Sequence, residues 1–301
     1  WTALYYRNIL ILSEMAKVIG QKADQSNYSQ LAQEVKQAIN EKWLDKESGH
    51  YASKSQTAEM LPLSLGLVPY EYREKLINNI AYNITENDNG HLRVGHAGIT
   101  ALVESLTANN LGNEMYNIVN TTDYPGWGYM VDQGATTIWE SWGRDFAYEG
   151  GRRRSDNMTM LAGVNEFFYR YIAGIQGPNF YGAKNMKPGY KEFRIKPYLL
   201  GELTSASATV KTVRGEISSS WELDDIGSFK LKVKVPANSK AQVSIAKQGN
   251  KNIIISENDS IVWSNNKLSE GIEGLIKGVD DGDYITLSIG SGKYSFQVAA
   301  E

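Results

Sequence analysis

Residues 124–144 concentrate aromatic, polar and acidic side chains on a backbone that glycine and proline keep irregular. Three of the seven tryptophans of the chain lie between Trp127 and Trp142. A flat aromatic ring suits the C–H face of a sugar, and a nearby carboxylate suits its hydroxyl groups. Binding sites of this kind are concave, partly apolar and partly polar. The segment therefore predicts a carbohydrate site.

Glu140 stands between Trp139 and Trp142 and is the acidic residue best placed for chemistry. Apolar surroundings disfavour a charged carboxylate and raise its pKa, which suits a general acid or base that works near neutral pH. The other interpretation is an ion pair between Glu140 and Arg144, four residues apart on a helix. Composition alone favours the ion pair slightly, so both interpretations stay open at this point.

Several other classes of site are disfavoured. The chain has no cysteine and a formal net charge of −3, which excludes thiolate chemistry and disfavours a nucleic-acid partner. His50, His91 and His96 lack the spacing of metal ligands, and each is interpreted as a hydrogen-bonded structural histidine. The basic residues 152–154 are interpreted as a solvated loop or as local ion pairs. We expect no cofactor and no metal.

Helical periodicity characterises the first part of the chain. Apolar residues recur at helical spacing in about seven segments. These are residues 1–19, 28–43, 57–66, 71–84, 99–108, 113–119 and 158–173. Helices in pairs with loops of varied length are typical of a helical toroid rather than a four-helix bundle.

Apolar and polar residues alternate after residue 175, which is the pattern of β-strands. The clearest segments are residues 206–210, 217–221, 229–235, 241–245, 285–289 and 294–298. Short strands with turn signals and no helix between them predict an antiparallel β-sandwich. No run of about 18 apolar residues exists, so we expect no membrane span. We favour a periplasmic or secreted location over a cytoplasmic one.

Residues 124–142 resemble the signature of the family 78 α-L-rhamnosidases. The most specific part is the run Gly-Ala-Thr-Thr-Ile-Trp-Glu, which ends at Glu140. Other segments that resemble the family are residues 55–58, 65–69, 90–92, 169–175, 210–215 and 235–238. The similarity therefore covers nearly the whole chain.

The resemblance implies a multidomain α and β protein, with an (α/α)6 toroid followed by an antiparallel β-sandwich. Because only about seven helices are predicted, we expect residues 1–175 to be the C-terminal portion of a six-hairpin catalytic barrel. Residues 176–301 are then the C-terminal β-sandwich domain. We expect the missing N-terminal half of the same protein to be a partner. It would cover an apolar flank around Leu4, Ile11 and Val18.

The activity implied by the resemblance is inverting hydrolysis, which releases terminal α-L-rhamnose or a related deoxysugar from glycosides, oligosaccharides or polysaccharides. The family's general base matches Glu140, while its general acid lies upstream in an arginine-rich motif that has no counterpart we can find in residues 1–301. The expected substrate-binding residues are those that wall the pocket or meet sugar hydroxyls. They are Trp127, Tyr129, Gln133, Trp139, Trp142 and Asn157.

One position departs from the family pattern. The family usually has Asn-His-Tyr-Ala near the start of the last helix, where the histidine helps to hold the sugar, whereas this chain has Asn157 followed by Met158. A thioether cannot donate a hydrogen bond as imidazole can. We therefore expect a different substrate, a different pose or weak activity.

Two other functions stay open because a fold does not fix an activity. A polysaccharide lyase, or another carbohydrate enzyme on the same toroid, would use a tyrosine or histidine at the cleft centre, for which Tyr129 and His96 are candidates. A non-catalytic carbohydrate-binding protein is favoured by Met158 and by the missing acid.

Overall fold

The chain divides into two structural units, which are Trp1–Val164 and Asn165–Glu301. The computed structural model describes residues 1–143, 155–177, 188–224, 227–258 and 260–300. The first unit is helical and the second is built from two β-sheets. This arrangement confirms the predicted fold class, a helical part followed by a β-sandwich. The first strand begins at Ile175.

Seven α-helices lie in the described part of the first unit. They are α1 (Thr2–Val18), α2 (Lys22–Trp43), α3 (Gln56–Ser64), α4 (Tyr70–Tyr82), α5 (Ile99–Thr107), α6 (Gly112–Asn120) and α7 (Trp127–Asp132). A π-helical turn, Asn83–Asn87, extends α4. The second helix starts at Lys22, earlier than the apolar periodicity predicts, because its first turn is polar. The short helix α7 was not predicted.

The last predicted helix, residues 158–173, is broken into three pieces. A 3-10 turn at Thr159–Leu161 is followed by the short helix α8 (Val164–Glu166) and a π-helical segment, Phe167–Ile172. Gly163 lies at the break, where an added Cβ atom would be 2.4 Å from the Cγ2 atom of Ile99. The chain thus passes close to α5 at a point where no side chain fits.

Helix α5 is the centre of the helical unit. Eight of its nine residues are buried, as expected for a helix that is surrounded by other elements. The Ser105 hydroxyl donates a hydrogen bond to the backbone oxygen of Met60 on α3, at 3.0 Å. The 3-10 turn His96–Gly98 leads directly into α5, so the packing of this helix fixes the position of that turn.

Helix α1 exposes large apolar side chains, as the sequence predicts, but on a stripe that differs in part from the expected one. Val18 is 83% exposed, whereas Leu4 and Ile11 are half-buried. The other exposed apolar residues of this segment are Trp1, Tyr5, Leu12, Met15 and Ile19. Among the described residues, no helix has the length and hydropathy that a membrane span requires.

In the described part of the second unit, twelve strands form two sheets. They are β1 (Ile175–Gln176), β2 (Glu192–Ile195), β3 (Ser205–Thr212), β4 (Gly215–Leu223), β5 (Phe229–Val235), β6 (Lys240–Ala246), β7 (Ile253–Glu257), β8 (Ser260–Ser264), β9 (Lys267–Leu268), β10 (Leu275–Asp280), β11 (Tyr284–Ile289) and β12 (Gly292–Ala300). The sheet orders are β1-β2-β6-β11-β10 and β3-β4-β5-β12-β7-β8-β9. All pairs are antiparallel except β2 with β6.

The two sheets share one apolar core. Alternate residues point inward, as in β5, where Phe229, Leu231 and Val233 are buried. Trp221 on β4 is 1% exposed and donates its indole N–H to the backbone oxygen of Ile172, at 2.8 Å. The buried ring therefore satisfies its one polar group. These inward-facing positions confirm the period-2 pattern that the sequence showed.

A buried carboxyl group links three segments of the helical unit. Glu59 on α3 is fully buried and contacts the Nδ1 atom of His50. The Asn83 amide donates a hydrogen bond to its Oε2 atom, at 3.1 Å. Burial raises the pKa of Glu59, and the hydrogen bonds from His50 and Asn83 lower it only in part.

We predict that Glu59→Gln gains stability relative to the native protein as the pH rises above the ordinary value of 4.5. The folded state holds the Glu59 proton to higher pH than the unfolded state, so the native protein loses stability as the pH rises through the raised pKa. The loss is about 1.4 kcal/mol for each pH unit that separates the folded-state pKa from the unfolded-state pKa. Glutamine cannot ionise and avoids this loss. Denaturant unfolding between pH 4.5 and 7 measures the difference.

The matched control is Glu86→Gln, because Glu86 is exposed and lies in the π-helical turn beside Asn83. Its free energy of unfolding should follow the native protein at every pH. A constant difference between Glu59→Gln and the native protein across this range would show that the pKa of the buried carboxyl is not raised.

Candidate active site

Glu140 lies in an irregular segment, residues 133–143, that follows α7. The helix on which Glu140 and Arg144 would pair four residues apart is therefore not formed at Glu140, and Arg144 lies outside the described residues. The side chain of Glu140 is half-buried. Since no helical ladder fixes this backbone, other groups have to position the carboxylate.

Hydrogen bonds with residues 155–158 fix the Glu140 segment from one side. The Glu140 N–H donates to the Ser155 backbone oxygen at 3.0 Å, and the Met158 N–H donates to the Ile138 oxygen at 2.8 Å. The Thr137 hydroxyl donates to the backbone oxygen of Asp156. In addition, the Ser155 N–H donates to the Glu140 Oε2 atom at 2.8 Å, which fixes the direction of the carboxylate itself.

The turn before α5 fixes the same segment from a second side. The Nε2 atom of His96 lies 2.7 Å from the backbone oxygen of Glu140. The Trp142 indole N–H donates to the backbone oxygen of Val94 at 3.0 Å. Glu140 and Trp142 are thus bonded to His96 and Val94, which lie at or just before the turn that leads into the buried helix α5.

A cavity of about 450 Å³ opens beside Glu140. Its lining combines aromatic, apolar and hydrogen-bonding groups with one carboxylate. The lining residues are Gly95, His96, Tyr124, Glu140, Ser141, Trp142, Gly143 and Leu161. Among the described residues, none forms a hydrogen bond with the second carboxylate oxygen of Glu140, Oε1. Within the described part of the chain, that oxygen is left for a ligand or for water.

The three tryptophans of the predicted wall have different positions. Trp142 lines the cavity, whereas Trp127 and Trp139 are only 5% and 3% exposed. The rings of Trp127 and Trp142 meet edge to face at 5.1 Å, and the Trp127 indole N–H donates to the Leu161 backbone oxygen at 2.9 Å. Trp127 thus supports two lining residues from behind.

Three expected substrate-binding residues do not line the cavity: Tyr129, predicted to wall it, and Gln133 and Asn157, predicted to meet sugar hydroxyls. Tyr129 packs edge to face against Tyr124, with ring centroids 5.5 Å apart, and it is Tyr124 that reaches the lining. Gln133 is exposed and donates to the Asp132 carboxylate at 3.1 Å. Asn157 is exposed, and its N–H donates to the Ser155 hydroxyl at 3.1 Å. Their roles in substrate binding stay predictions.

Sequence reasoning missed Tyr124, Ser141 and Leu161 as lining residues. It interpreted His96 as a structural histidine and placed it at the cleft only under the lyase alternative. Tyr124 and Ser141 lie within the aromatic motif, so the motif itself was the signal. His96 is 44 residues from Glu140, and no sequence pattern joins the two. In the described ranges no cluster of three or more acidic or histidine side chains is arranged to bind a metal ion.

A helical unit with an acidic residue on a cavity wall, followed by a β-sandwich, agrees with the later part of a six-hairpin glycosidase and its C-terminal β-domain. Residues 1–172 match the family model of the bacterial alpha-L-rhamnosidase 6 hairpin glycosidase domain. Residues 182–258 match the bacterial alpha-L-rhamnosidase C-terminal domain. The chain belongs to the bacterial alpha-L-rhamnosidase family.

Individual relatives agree with this assignment. An alpha-L-rhamnosidase of Formosa agariphila is 31% identical over 92% of this chain and 29% of its own length. The solved alpha-L-rhamnosidase of Dictyoglumus thermophilum matches with a TM-score of 0.85 at 31% identity, over 98% of this chain and 31% of its own. The Streptomyces avermitilis enzyme, solved with L-rhamnose, gives 0.82 at 27% identity, over 99% and 26%. The chain therefore spans less than a third of the length of these relatives.

We predict that Gly128→Ala destabilises the helical unit by about 1–3 kcal/mol, the usual range for overpacking. A Cβ atom at Gly128 would lie 2.4 Å from the backbone oxygen of Thr121, so α7 would have to move together with the adjacent Trp127. Denaturant unfolding measures the loss, and the near-ultraviolet circular dichroism of the tryptophans reports the movement. Gly95→Ala is the control, because its Cβ atom would meet nothing within 4 Å. Equal stability of the two variants would contradict the prediction.

Proposed function

We propose that this chain provides the general base of an inverting α-L-rhamnosidase and that Glu140 is that base. The observation that carries the proposal is the carboxylate of Glu140 on the cavity wall, with Oε2 bonded to the Ser155 N–H and Oε1 without a bond to any described residue. Membership of the family supports the reaction class. The complex of one similar structure with L-rhamnose supports the choice of sugar.

Glu140 would act on water rather than on the sugar directly. Oε1 accepts a hydrogen bond from a water molecule and takes its proton while the water oxygen attacks the anomeric carbon. The Ser155 N–H keeps the carboxylate from rotating. Since the position of a general base controls its efficiency, this bond contributes to the rate as well as to the geometry.

The cavity lining suits a deoxysugar. Trp142 and Tyr124 offer aromatic surface to the C–H groups of a pyranose ring. Leu161 adds an apolar side chain that fits a methyl group better than a hydroxymethyl group. Terminal rhamnose in a glycoside, oligosaccharide or polysaccharide is therefore the proposed substrate.

Inversion needs a second carboxyl group that protonates the leaving oxygen. This chain covers 29% of one relative and 23% of another. We assign the general acid to the part of the protein that corresponds to the uncovered length of these relatives. The exposed apolar side chains of α1, including Tyr5 and Met15, are proposed to contact that remaining part of the protein. Burial of such a stripe would be favourable.

We predict that Glu140→Gln lowers the turnover of an aryl α-L-rhamnoside by about 10²–10⁴-fold in the intact enzyme, which is the usual contribution of a general base. The amide keeps the size of the side chain but cannot take a proton from water. The control is Glu114→Gln on α6, which does not line the cavity. Undiminished turnover by Glu140→Gln would end the assignment of the base.

We predict further that the first anomer released by the intact enzyme has the opposite configuration to the substrate. Water attacks the face away from the leaving group, so a single displacement inverts the anomeric carbon. Proton NMR during the first minutes of hydrolysis distinguishes the two anomers. Retention would exclude direct attack of a water molecule, activated by Glu140, on the glycosidic carbon of the substrate. An unsaturated product would select the lyase alternative.

A further inference from the structure

His96 reaches the cavity from a different part of the chain than Glu140. It begins the 3-10 turn His96–Gly98 in front of α5, and its ring is half-buried on the cavity wall. This position is held closely, because a Cβ atom at Gly98 would be 2.5 Å from the Thr57 hydroxyl oxygen. The packing at Gly98 confines the turn, and the contact between Nε2 and the Glu140 backbone oxygen holds the imidazole on the cavity wall.

The bond to Glu140 determines how the two ring nitrogens of His96 can be used. A backbone carbonyl oxygen only accepts hydrogen bonds, so the Nε2 atom, 2.7 Å from the Glu140 oxygen, must carry the proton. In the neutral ring the other nitrogen, Nδ1, then has a lone pair and acts as an acceptor.

The Nδ1 atom has no hydrogen-bond partner among the described residues. It is also not one of the fully buried polar atoms that lack a partner, so it has some access to solvent, on a residue that lines the cavity. A polar ligand hydroxyl can satisfy this acceptor, whereas an apolar group placed against it would leave it unsatisfied at a cost.

We propose that His96 is a sugar-binding residue, which accepts a hydrogen bond from a ring hydroxyl at Nδ1 while its Nε2–H group holds the backbone of Glu140. The proposal rests on the proposed function, because it takes the ligand of the cavity to be a pyranose. It adds a residue outside the aromatic motif to the site. One imidazole ring would then bind the sugar through Nδ1 and hold Glu140, the proposed base, through Nε2.

Two conservative variants separate the two nitrogens. In His96→Gln the side-chain amide nitrogen takes the place of Nε2 and can still donate to Glu140, but the acceptor at Nδ1 is lost. In His96→Asn the side-chain oxygen takes the place of Nδ1, but the donor to Glu140 is lost. The two variants therefore remove one function each.

The experiment compares the intact enzyme and both variants on an aryl α-L-rhamnoside and on its 2-deoxy, 3-deoxy and 4-deoxy analogues. The native enzyme should disfavour one analogue by about tenfold in kcat/KM, the size of one hydrogen bond. His96→Gln should raise KM for the parent substrate by about five- to tenfold and lose this discrimination. His96→Asn should keep the discrimination and lower kcat on all four substrates.

Three results would overturn the proposal. If His96→Gln discriminates among the analogues as the native enzyme does, Nδ1 does not bind a sugar hydroxyl. If both variants lower kcat equally on every substrate and melt at a lower temperature, His96 is only structural. In either case activity that still depends on Glu140 leaves the proposed function intact. If the native enzyme neither binds nor hydrolyses any of these rhamnosides, the proposed function fails and the role of His96 fails with it.

Discussion

The position of Glu140 depends on hydrogen bonds that residues outside segment 133–143 form with its carboxylate and its backbone oxygen. The carboxylate is in an irregular stretch, so no helix or strand ladder orients it. Ser155 on one side and His96 on the other provide the orientation instead. Each such bond contributes on the order of 1 kcal/mol to stability. Under the proposed role of Glu140 their larger effect is geometric, because a general base is useful only within hydrogen-bond reach of its water.

Close packing behind the cavity makes these bonds possible. The turn that carries His96 leads into α5. At Gly98 the Thr57 side chain, and at Gly163 the Ile99 side chain, lie so close that a Cβ atom would collide with them. The indole N–H groups of Trp127 and Trp142 donate to backbone oxygens of Leu161 and Val94. The aromatic motif therefore has two functions, since some rings face the cavity and others fix the backbone around it.

The fold was predictable because its signals are local. Alternation along β5 and β12 and helical spacing in α1 and α4 follow from burial of one face, and the structure has these elements where the pattern places them. The breaks at residues 158–173 were not predictable. At one of them Gly163 lies close to Ile99, a contact between segments far apart in the sequence that no local pattern contains.

The sequence predicted which segment forms the site but not which of its side chains face the cavity. Composition and the family motif selected Glu140 and Trp142, which do line the cavity. Along an irregular backbone, however, neighbouring side chains point in directions that no period describes. Sequence alone therefore could not tell that Trp139 is buried and Gln133 exposed. The imidazole in the cavity comes from His96, whereas the resemblance drew attention to the histidine replaced by Met158.

The bonds that fix Glu140 suggest how the chemistry is divided within a larger enzyme. The hydrogen bonds given above for the Glu140 segment, and the cavity-lining residues that the structure describes, lie between residues 94 and 161. Inverting hydrolysis places its two carboxyl groups roughly 6.5–9.5 Å apart, on opposite sides of the scissile bond. If Glu140 is the base, its orientation by residues of this region does not require the acid to be nearby in sequence. The two groups can then come from separate parts of one protein, provided that packing between those parts sets the distance.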